Sequence, residues 1–161
     1  MAITLRPAVD SDRPLLFDIY ASTREEELAR VPWTDAQKQA FLEMQFTGQT
    51  QGYRATHPNA THEMICVDDR AVGRLYMDRY SDRLHILDIT VASESRNAGI
   101  GSGILNRLLA EADRDCKRVT IYVESFNRSL RLFERLGFRT ASVDGFLVLL
   151  ERPRTEADST G

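Results

Sequence analysis

The fold is decided by one stretch of the chain, residues 91–105, which reads VASESRNAGIGSGIL. Its first residues end an apolar run, and Gly99 and Gly101 come just before an amphipathic segment. Glycines at such a turn let the backbone approach a ligand without a Cβ in the way. The amides in the first turn of the following helix, together with the helix dipole, favour an anion. The stretch therefore predicts a strand, a phosphate-holding turn and a helix.

Two common nucleotide-binding motifs do not fit this turn. A Walker loop needs Lys and then Ser or Thr after its last glycine, whereas Ile104 and Leu105 follow Gly103. A dinucleotide fingerprint would have Gly or Ala at position 104 and usually lies in an early βαβ unit. These mismatches argue against a kinase or a dehydrogenase. What remains is the pattern Arg-x-x-Gly-x-Gly over residues 96–101.

This pattern resembles the pyrophosphate-binding signature of the GNAT superfamily of N-acetyltransferases, which is Arg or Gln-x-x-Gly-x-Gly or Ala after a central strand. A second block agrees with it. A predicted strand at residues 119–123 is followed by Asn127 and by a segment that ends in Leu-Gly-Phe at 136–138, similar to the family's Asn-helix-Leu-Gly-Phe segment. The resemblance covers about residues 84–140, and the order of elements extends it from residue 3 to residue 152.

The resemblance implies an α/β fold, with a central mixed, mostly antiparallel sheet flanked by helices and a βαβ crossover that binds acetyl-CoA. Patterning alone predicts the same order of elements. The predicted strands are residues 3–6, 63–67, 71–80, 84–91, 119–123, 139–143 and 146–151. The predicted helices start at Asp10, at a Thr34 cap, at Gly101 and after Asn127, and the first reaches about Arg30, the second extends toward Gln49 and Gly137 ends the last. Turn residues make 52–61 a loop.

Length and charge limit the kind of partner. With 161 residues the chain is expected to form one N-acetyltransferase domain over residues 1–152, with a disordered tail at 153–161. Twenty-one basic and 24 acidic side chains give a formal net charge of −3. No strong overall field draws such a chain to nucleic acid or to an anionic membrane, so neither is expected as a partner. A small-molecule or peptide amine fits better, and the family's habit suggests a homodimer.

Cysteine and histidine positions predict no metal. Cys66 and Cys116 are far apart and show neither metal nor redox spacing, and the three histidines form no ligand pattern on one helix face. The N-terminal residues lack the apolar core of a signal peptide, and no run approaches the length of a membrane span. We therefore expect a cytoplasmic protein.

The resemblance also implies which residues hold the cosubstrate, acetyl-CoA. Its pyrophosphate would lie on the amides of a continuous segment, namely Arg96, Asn97, Ala98, Gly99, Ile100, Gly101 and Ser102. Its pantetheine arm would run beside Ile89, Thr90 and Val91, because in this family the two parallel strands part at a bulge. Main-chain groups there bond the arm and polarise the thioester carbonyl, as in an oxyanion hole. Asn127 would bond the arm from the other side; a plain helix N-cap is the other interpretation, and the two roles can coexist.

The implied reaction is direct attack of an amine on the thioester in a ternary complex, which needs a group to take a proton. Asp88 is the first candidate, since it lies on the central strand where relatives often carry an acid. Its alternative is a structural carboxylate paired with Arg74 or Arg79. A second set of candidates is the acidic run Glu25, Glu26 and Glu27, for which a solvated helix face is the other interpretation.

One position departs from the family. Phe133 lies among the cofactor-binding residues at the helix position that usually carries a tyrosine, which protonates the leaving thiolate. A phenyl ring cannot donate a proton, although water or another hydroxyl group can. Core packing with Leu130 and Leu136 explains a phenylalanine equally well. The departure therefore leaves a second hypothesis open, a non-catalytic acyl-CoA-binding module that acts as a sensor or assembly domain.

Overall fold

The computed structural model describes residues 2–96 and 98–155. Its strands are β1 (Ile3–Pro7), β2 (Thr61–Val67), β3 (Arg70–Arg79), β4 (Arg83–Val91), β5 (Arg118–Glu124), β6 (Arg139–Asp144) and β7 (Leu147–Arg152). Its α-helices are α1 (Arg13–Ser22), α2 (Glu25–Ala29), α3 (Asp35–Thr56), α4 (Ile100–Arg114) and α5 (Leu130–Arg135). Short 3-10 turns precede α1 and follow β4, at Asp10–Asp12 and Ser93–Ser95. Residues 156–161 of the predicted tail lie outside the described residues.

The strands form one seven-stranded sheet in the order β1-β2-β3-β4-β5-β7-β6. β1 runs antiparallel to β2, and β7 runs antiparallel to both β5 and β6. β4 and β5 are parallel, and α4 connects them. The predicted mixed, mostly antiparallel sheet and its βαβ crossover are therefore confirmed.

The first predicted helix is interrupted. α1 ends at Ser22, and α2 begins again at Glu25, so the expectation of one helix reaching Arg30 was wrong. At the break, the Ser22 hydroxyl donates to the carbonyl of Ile19 at 2.7 Å and the Thr23 hydroxyl donates to that of Tyr20 at 2.6 Å. Side-chain hydroxyls that bond the carbonyls of the last turn compete with further helical hydrogen bonds.

The second predicted helix starts as expected and ends later. The Thr34 hydroxyl oxygen accepts from the Gln37 amide at 3.2 Å, and the Gln37 side chain accepts from the Thr34 amide at 2.9 Å, which makes a capping box. α3 continues to Thr56, so the predicted loop begins about five residues too early. Tyr53, in this extension, packs its ring 5.1 Å from that of Tyr76. This tertiary contact favours the helix over the turn that Gly52 predicts.

The chain forms two compact units, and each is described by itself. The first comprises residues 1–76 and 89–101. In its core, the ring of Phe46 on α3 lies 5.9 Å from Phe17 and 5.5 Å from Tyr20, both on α1. Buried residues of β2 complete this core. The packing holds helices α1 and α3 on one cluster that also includes Ala92, just after β4.

The second unit comprises residues 77–88 and 102–161. α4 buries an apolar stripe at helical spacing, and β5 buries three apolar residues together with Thr120; the apolar ones are Ile104, Leu105, Leu108, Ala112, Val119, Ile121 and Val123. Arg79 makes a bidentate ion pair with Glu111 at 2.9 and 3.1 Å, and this bond lowers the pKa of Glu111. Among the described helices, we find none with both the length and the apolar character to cross a membrane.

Candidate functional site

The end of β4 lies unusually close to β3. A Cβ built on Gly73 would overlap the carbonyl oxygen of Thr90 and lie 3.2 Å from the Cα of Val91. One residue further on, the Ala92 amide donates to the Val72 carbonyl at 2.8 Å. Only glycine allows this approach, so Gly73 fixes where β4 ends. Sequence analysis missed this residue, although an isolated glycine inside a strand pattern is a known signal for close backbone approach.

Two serines hold the segment that follows β4. The Ser93 amide donates to the Ser22 hydroxyl oxygen at 3.1 Å, and the Ser93 hydroxyl donates to the Ser22 carbonyl at 2.6 Å. We call this pair the serine clasp. It joins the last residue of α1 to the 3-10 turn that leads into Arg96. No sequence pattern predicts it, because the two residues are 71 positions apart.

The predicted phosphate turn follows the serine clasp directly. Gly99 has a φ of +77°, a left-handed conformation that glycine adopts at little cost, and α4 begins at the next residue. Ala98 and Gly99 are exposed, whereas Ile100 is buried and anchors the helix start in the core. Asn97, one of the predicted site residues, lies outside the described residues.

The geometry of this turn suits a bound pyrophosphate. A Cβ on Gly99 or on Gly101 would meet nothing within 4 Å, so the backbone faces open space at both positions. The first amides of a helix lack intrahelical partners, and the helix dipole adds a partial positive charge there. Arg96 is half-buried at the start of the turn. The described part of this turn, from Ala98 to Gly101, therefore has the open backbone that an anion with several oxygens needs.

In the second unit, the parallel pairing of β4 and β5 is short. It joins Arg83 to Arg118 and ends with Ile86 opposite Ile121. Asp88 lies two residues further along β4 and is half-buried.

Asn127 does not begin a helix, so the N-cap interpretation was wrong. α5 starts at Leu130, and its N-cap residue is Ser129. The Asn127 side-chain oxygen accepts instead from the Ser129 amide at 2.7 Å and closes a local turn. This bond uses the oxygen of the side-chain amide and leaves its NH₂ group as a donor.

The ring of Phe133 belongs to the core. It is 3% exposed and packs edge-to-face against Phe138, with 5.3 Å between the ring centroids. The packing interpretation accounts for a phenylalanine at this position. The thiolate-protonating group expected in the family is therefore absent from residue 133, as the sequence predicts.

The acidic candidates differ in exposure. Glu25, Glu26 and Glu27 are all exposed on α2, and Glu27 pairs with Arg24 at 3.5 Å, as expected of a solvated helix face. Asp88, by contrast, is half-buried on β4. Of the candidate acids, it is the one with a fixed place on the sheet.

The structure places the predicted site residues on both units. The first unit contains Ile89, Thr90, Val91, Arg96, Ala98, Gly99, Ile100 and Gly101, and the second contains Asp88, Ser102, Asn127 and Phe133. The first set forms one continuous segment from the end of β4 to the start of α4. Within residues 2–96 and 98–155, we find no group of three His, Cys, Asp or Glu side chains suited to holding a metal ion.

Comparison with known protein families gives a match that extends well beyond this segment. A profile of the acetyltransferase (GNAT) family matches residues 16–138. The chain belongs to the acetyltransferase (GNAT) family. This GNAT protein is therefore an acyltransferase enzyme with an acyl-CoA cosubstrate, as the glycine turn and the Asn127 block predict.

Solved structures share the fold of this GNAT protein. The PaiA N-acetyltransferase from Thermoplasma acidophilum, in complex with coenzyme A, has a TM-score of 0.72 at 13% identity, covering 96% of this chain and 100% of that chain. The ribosomal-protein-S18-alanine N-acetyltransferase from Escherichia coli has a TM-score of 0.64 at 18% identity, covering 99% of each. An acetyltransferase from Thermus thermophilus has a TM-score of 0.67 at 19% identity, covering 95% of this chain and 97% of that chain. At these identities the likeness shows the fold alone.

Proposed function

We propose that this protein is an N-acetyltransferase that moves an acetyl group from acetyl-CoA to a primary amine of a small molecule or peptide. The observation that carries the proposal is the turn at Gly99. It opens directly into α4, with free space in front of both Gly99 and Gly101, at the end of a strand whose position is fixed by its neighbours. A family of acetyltransferases uses such a turn for its cosubstrate, and this chain belongs to that family.

Different residues bind different parts of the cosubstrate. The amides from Arg96 to Ser102, Asn97 included, hold the pyrophosphate, and the half-buried Arg96 adds a positive charge. The main chain of Ile89, Thr90 and Val91 bonds the pantetheine arm. The side-chain NH₂ group of Asn127 donates to the same arm, since its oxygen is already used within the turn.

Acetyl-CoA supplies an activated acetyl thioester. The backbone of residues 89–91 orients it and polarises its carbonyl, which lowers the barrier to attack by the acceptor amine. Asp88 takes the proton that the amine loses as the new C–N bond forms. The C–S bond breaks, and the departing thiolate takes its proton from water, because Phe133 has none to give.

The acceptor and the location follow from charge and composition. A net charge of −3 gives no general attraction to nucleic acid or to anionic membrane, so we infer a small-molecule or peptide acceptor. Cys66 and Cys116 are both free thiols, which is usual in a reducing compartment, so we infer a cytoplasmic site of action. We also infer that residues 1–152 act as one N-acetyltransferase domain. No metal is needed for the reaction as proposed.

The proposal is tested by thermal melting of the full chain with acetyl-CoA, CoA, ATP or NAD, followed by thiol release against a panel of amines. A ligand that binds the folded state raises the melting temperature. We expect stabilisation by the two CoA species alone and thiol release with at least one amine. Stabilisation by ATP or NAD alone would contradict the cosubstrate, and acyl-CoA binding without turnover on any amine would contradict the reaction.

Asp88→Asn tests the proton acceptor. Removing a general base lowers the rate by roughly 10²- to 10⁴-fold, so kcat should fall by about that factor while the thermal shift with acetyl-CoA stays unchanged. A free amine added at high pH carries fewer protons, so the deficit should shrink as pH rises. Asp82→Asn is the control, because Asp82 is a surface carboxylate paired with Arg83 and Arg118. A variant at 88 with the wild-type pH–rate profile would remove Asp88 from the mechanism.

A further inference from the structure

A groove in the first unit lies between α1, the start of β3 and the turn after β4. Its volume is about 210 Å³, and its floor is apolar, with Ile19, Val72 and Ala92 at most 8% exposed. The Ala92 amide donates to the Val72 carbonyl at 2.8 Å, so no gap separates these two residues. At about 30 Å³ per water molecule, the groove has room for roughly seven waters, so a ligand of metabolite size fits it.

Charged side chains form the rim of this groove. Asp18 is on α1, Arg70 begins β3, and Glu94 lies in the 3-10 turn after β4. Because residues two apart on a strand share a face, Arg70 lies on the same side of β3 as the floor residue Val72. The serine clasp ties the end of α1 to this 3-10 turn, so the two walls that carry the acids are fixed to each other.

The three rim charges are not neutralised by neighbouring side chains. Asp18, Arg70 and Glu94 are all exposed, and among residues 2–96 and 98–155 none of their side chains takes part in a hydrogen bond or an ion pair. The rim therefore carries two negative charges and one positive charge around an apolar floor. A ligand that complements it has two positive charges, one negative charge and an apolar body between them.

We propose that this groove binds a basic α-amino acid, of which lysine is the type. Its two ammonium groups pair with the carboxylates of Asp18 and Glu94, and its carboxylate pairs with the guanidinium of Arg70, which suits a carboxylate by its bidentate geometry. The methylene stem of the ligand covers the apolar floor. A ligand bonded to Glu94 also steadies the 3-10 turn that leads into Arg96. The inference uses the first unit alone and does not depend on the proposed function.

Isothermal titration calorimetry of the full chain, without acetyl-CoA, tests the proposal with three probes. L-lysine carries all three charges, L-norleucine has nearly the same shape but lacks the side-chain ammonium, and cadaverine lacks the carboxylate. We expect L-lysine to bind and each of the other two to bind roughly fivefold more weakly, because one exposed ion pair contributes up to about that factor. Raising the salt concentration should weaken the binding of L-lysine, since the pairs are exposed to solvent.

Variants of the rim residues locate the ligand. Arg70→Gln should bind L-lysine and cadaverine equally, because it removes the partner of the carboxylate. The double variant Asp18→Asn, Glu94→Gln should bind L-lysine and L-norleucine equally, because neither ammonium group keeps its acid. Arg114→Gln is the matched control, since its side chain is 73% exposed on the second unit, and it should bind L-lysine like the wild type. Without ligand, all these variants should keep the melting temperature of the wild type, as expected for substitutions at exposed positions.

The proposal is overturned if millimolar L-lysine neither gives binding heat nor raises the melting temperature. Binding of L-lysine that the rim variants leave unchanged would also overturn it, because the amino acid would then lie elsewhere on the chain, for instance as an acceptor amine. Equal affinity of the wild type for all three probes would exclude the charge pairing and with it the ligand class. Since no probe needs the cosubstrate, a failure of the proposed acetyl transfer would leave each of these outcomes unaffected.

Discussion

The ends of β4 and β5, the two parallel strands, are held in different ways. After β4, the backbone is fixed from outside, by the close approach of Gly73 and by the serine clasp. After β5, the chain is held by local bonds, with the Asn127 amide donating to the Glu124 carbonyl at 2.9 Å and the Asn127 side chain closing the next turn. In the proposed function, the first region contributes its main chain to acetyl-CoA binding, and the second contributes one side chain.

This difference determines how substitutions should act. At residues 89–92, no side chain has a role in the proposed reaction, so a change there acts by moving the backbone. At the end of β5, the Asn127 side chain both shapes the turn and supplies a donor. Substitutions can therefore separate its two roles, whereas the role of Gly73 cannot be separated from the position of the strand.

The largest effect is expected from Gly73→Ala. Its new methyl group would overlap the carbonyl oxygen of Thr90, which is backbone and cannot rotate away. Overpacking of this kind costs about 1–3 kcal/mol of stability. Because the proposed function has these residues orient the thioester, we expect kcat/KM for acetyl-CoA to fall by roughly 100-fold, as small misplacements of reacting groups do. Steady-state kinetics and thermal melting measure the two effects.

Gly48→Ala provides the matched control for that substitution. Gly48 is exposed on α3, and an added Cβ there meets nothing within 4 Å. Alanine is a better helix former than glycine by about 1 kcal/mol, so this variant should be slightly more stable and fully active. If Gly73→Ala were as active as Gly48→Ala, activity would not depend on the observed position of the end of β4.

The sequence predicts the central part of the fold well. The apolar run of β4, the glycine turn and the α4 stripe are strongly periodic and carry their own boundary signals, and the structure places them within a residue or two. Predictions fail where local side-chain hydrogen bonds or tertiary contacts determine where a helix ends. Hydroxyl groups end α1 at Ser22, and packing of Tyr53 on Tyr76 extends α3 past Gly52.

The residues of the candidate site also differ in how well the sequence predicts them. The turn at Gly99 is predictable, because it depends on consecutive residues whose conformational needs are known. The serine clasp and the contact of Gly73 with Thr90 are not, because each joins residues far apart in the sequence. Asn127 is an intermediate case: its position is predicted from the family resemblance, whereas its turn geometry is visible only in the structure.

Asn127→Asp should have the next largest effect. The carboxylate still accepts from the Ser129 amide, so the turn is kept, but the donor to the pantetheine arm is lost. We expect KM for acetyl-CoA to rise about tenfold, which corresponds to roughly 1.4 kcal/mol for a lost hydrogen bond and an added charge. The melting temperature without ligand should not change.

Asn127→Ala separates the two roles, because it removes both the acceptor and the donor. It should raise KM for acetyl-CoA similarly and also lower the melting temperature. Equal KM values for Asn127→Asp and wild type would show that the side chain serves only the turn. The end of β5 would then contribute no side chain to the binding of acetyl-CoA.

Breaking the serine clasp should have a smaller effect on KM for acetyl-CoA. Ser93→Ala removes a 2.6 Å bond that steadies the 3-10 turn before Arg96, at a cost of about 0.5–1.5 kcal/mol. We expect KM for acetyl-CoA to rise several-fold, with kcat and KM for the amine unchanged. Ser22→Ala removes the other bond of the clasp, from the Ser93 amide to the Ser22 hydroxyl oxygen, so in a double-mutant cycle the double variant should be worse than either single variant. Wild-type KM for acetyl-CoA in the double variant would show that the clasp does not position this turn.

The smallest effect on activity is expected from an ion pair near α1. Arg6 donates twice to Asp12, at 2.8 Å each, and with the Val9 amide this holds the pKa of Asp12 at about 2, below its ordinary 3.8. A carboxylate with a lowered folded-state pKa stabilises the protein above its unfolded pKa, and the gain is lost as pH falls toward 2. After discounting for the exposed Arg6 side chain, this amounts to about 1–2 kcal/mol.

Asp12→Asn therefore tests whether activity follows global stability or the local position of β4. Urea unfolding at pH 7 should show a free energy of unfolding about 1–2 kcal/mol below that of the wild type, and the difference should shrink toward zero between pH 4 and pH 2. At pH 7 and 25 °C, kcat and KM for acetyl-CoA should match the wild type, because Asp12 does not touch residues 89–101 among its hydrogen-bond partners. A loss of activity that parallels the loss of stability would mean that Gly73→Ala and Ser93→Ala also act through general destabilisation. The contrast between the two strand ends would then describe how each is held, and not how each serves the reaction.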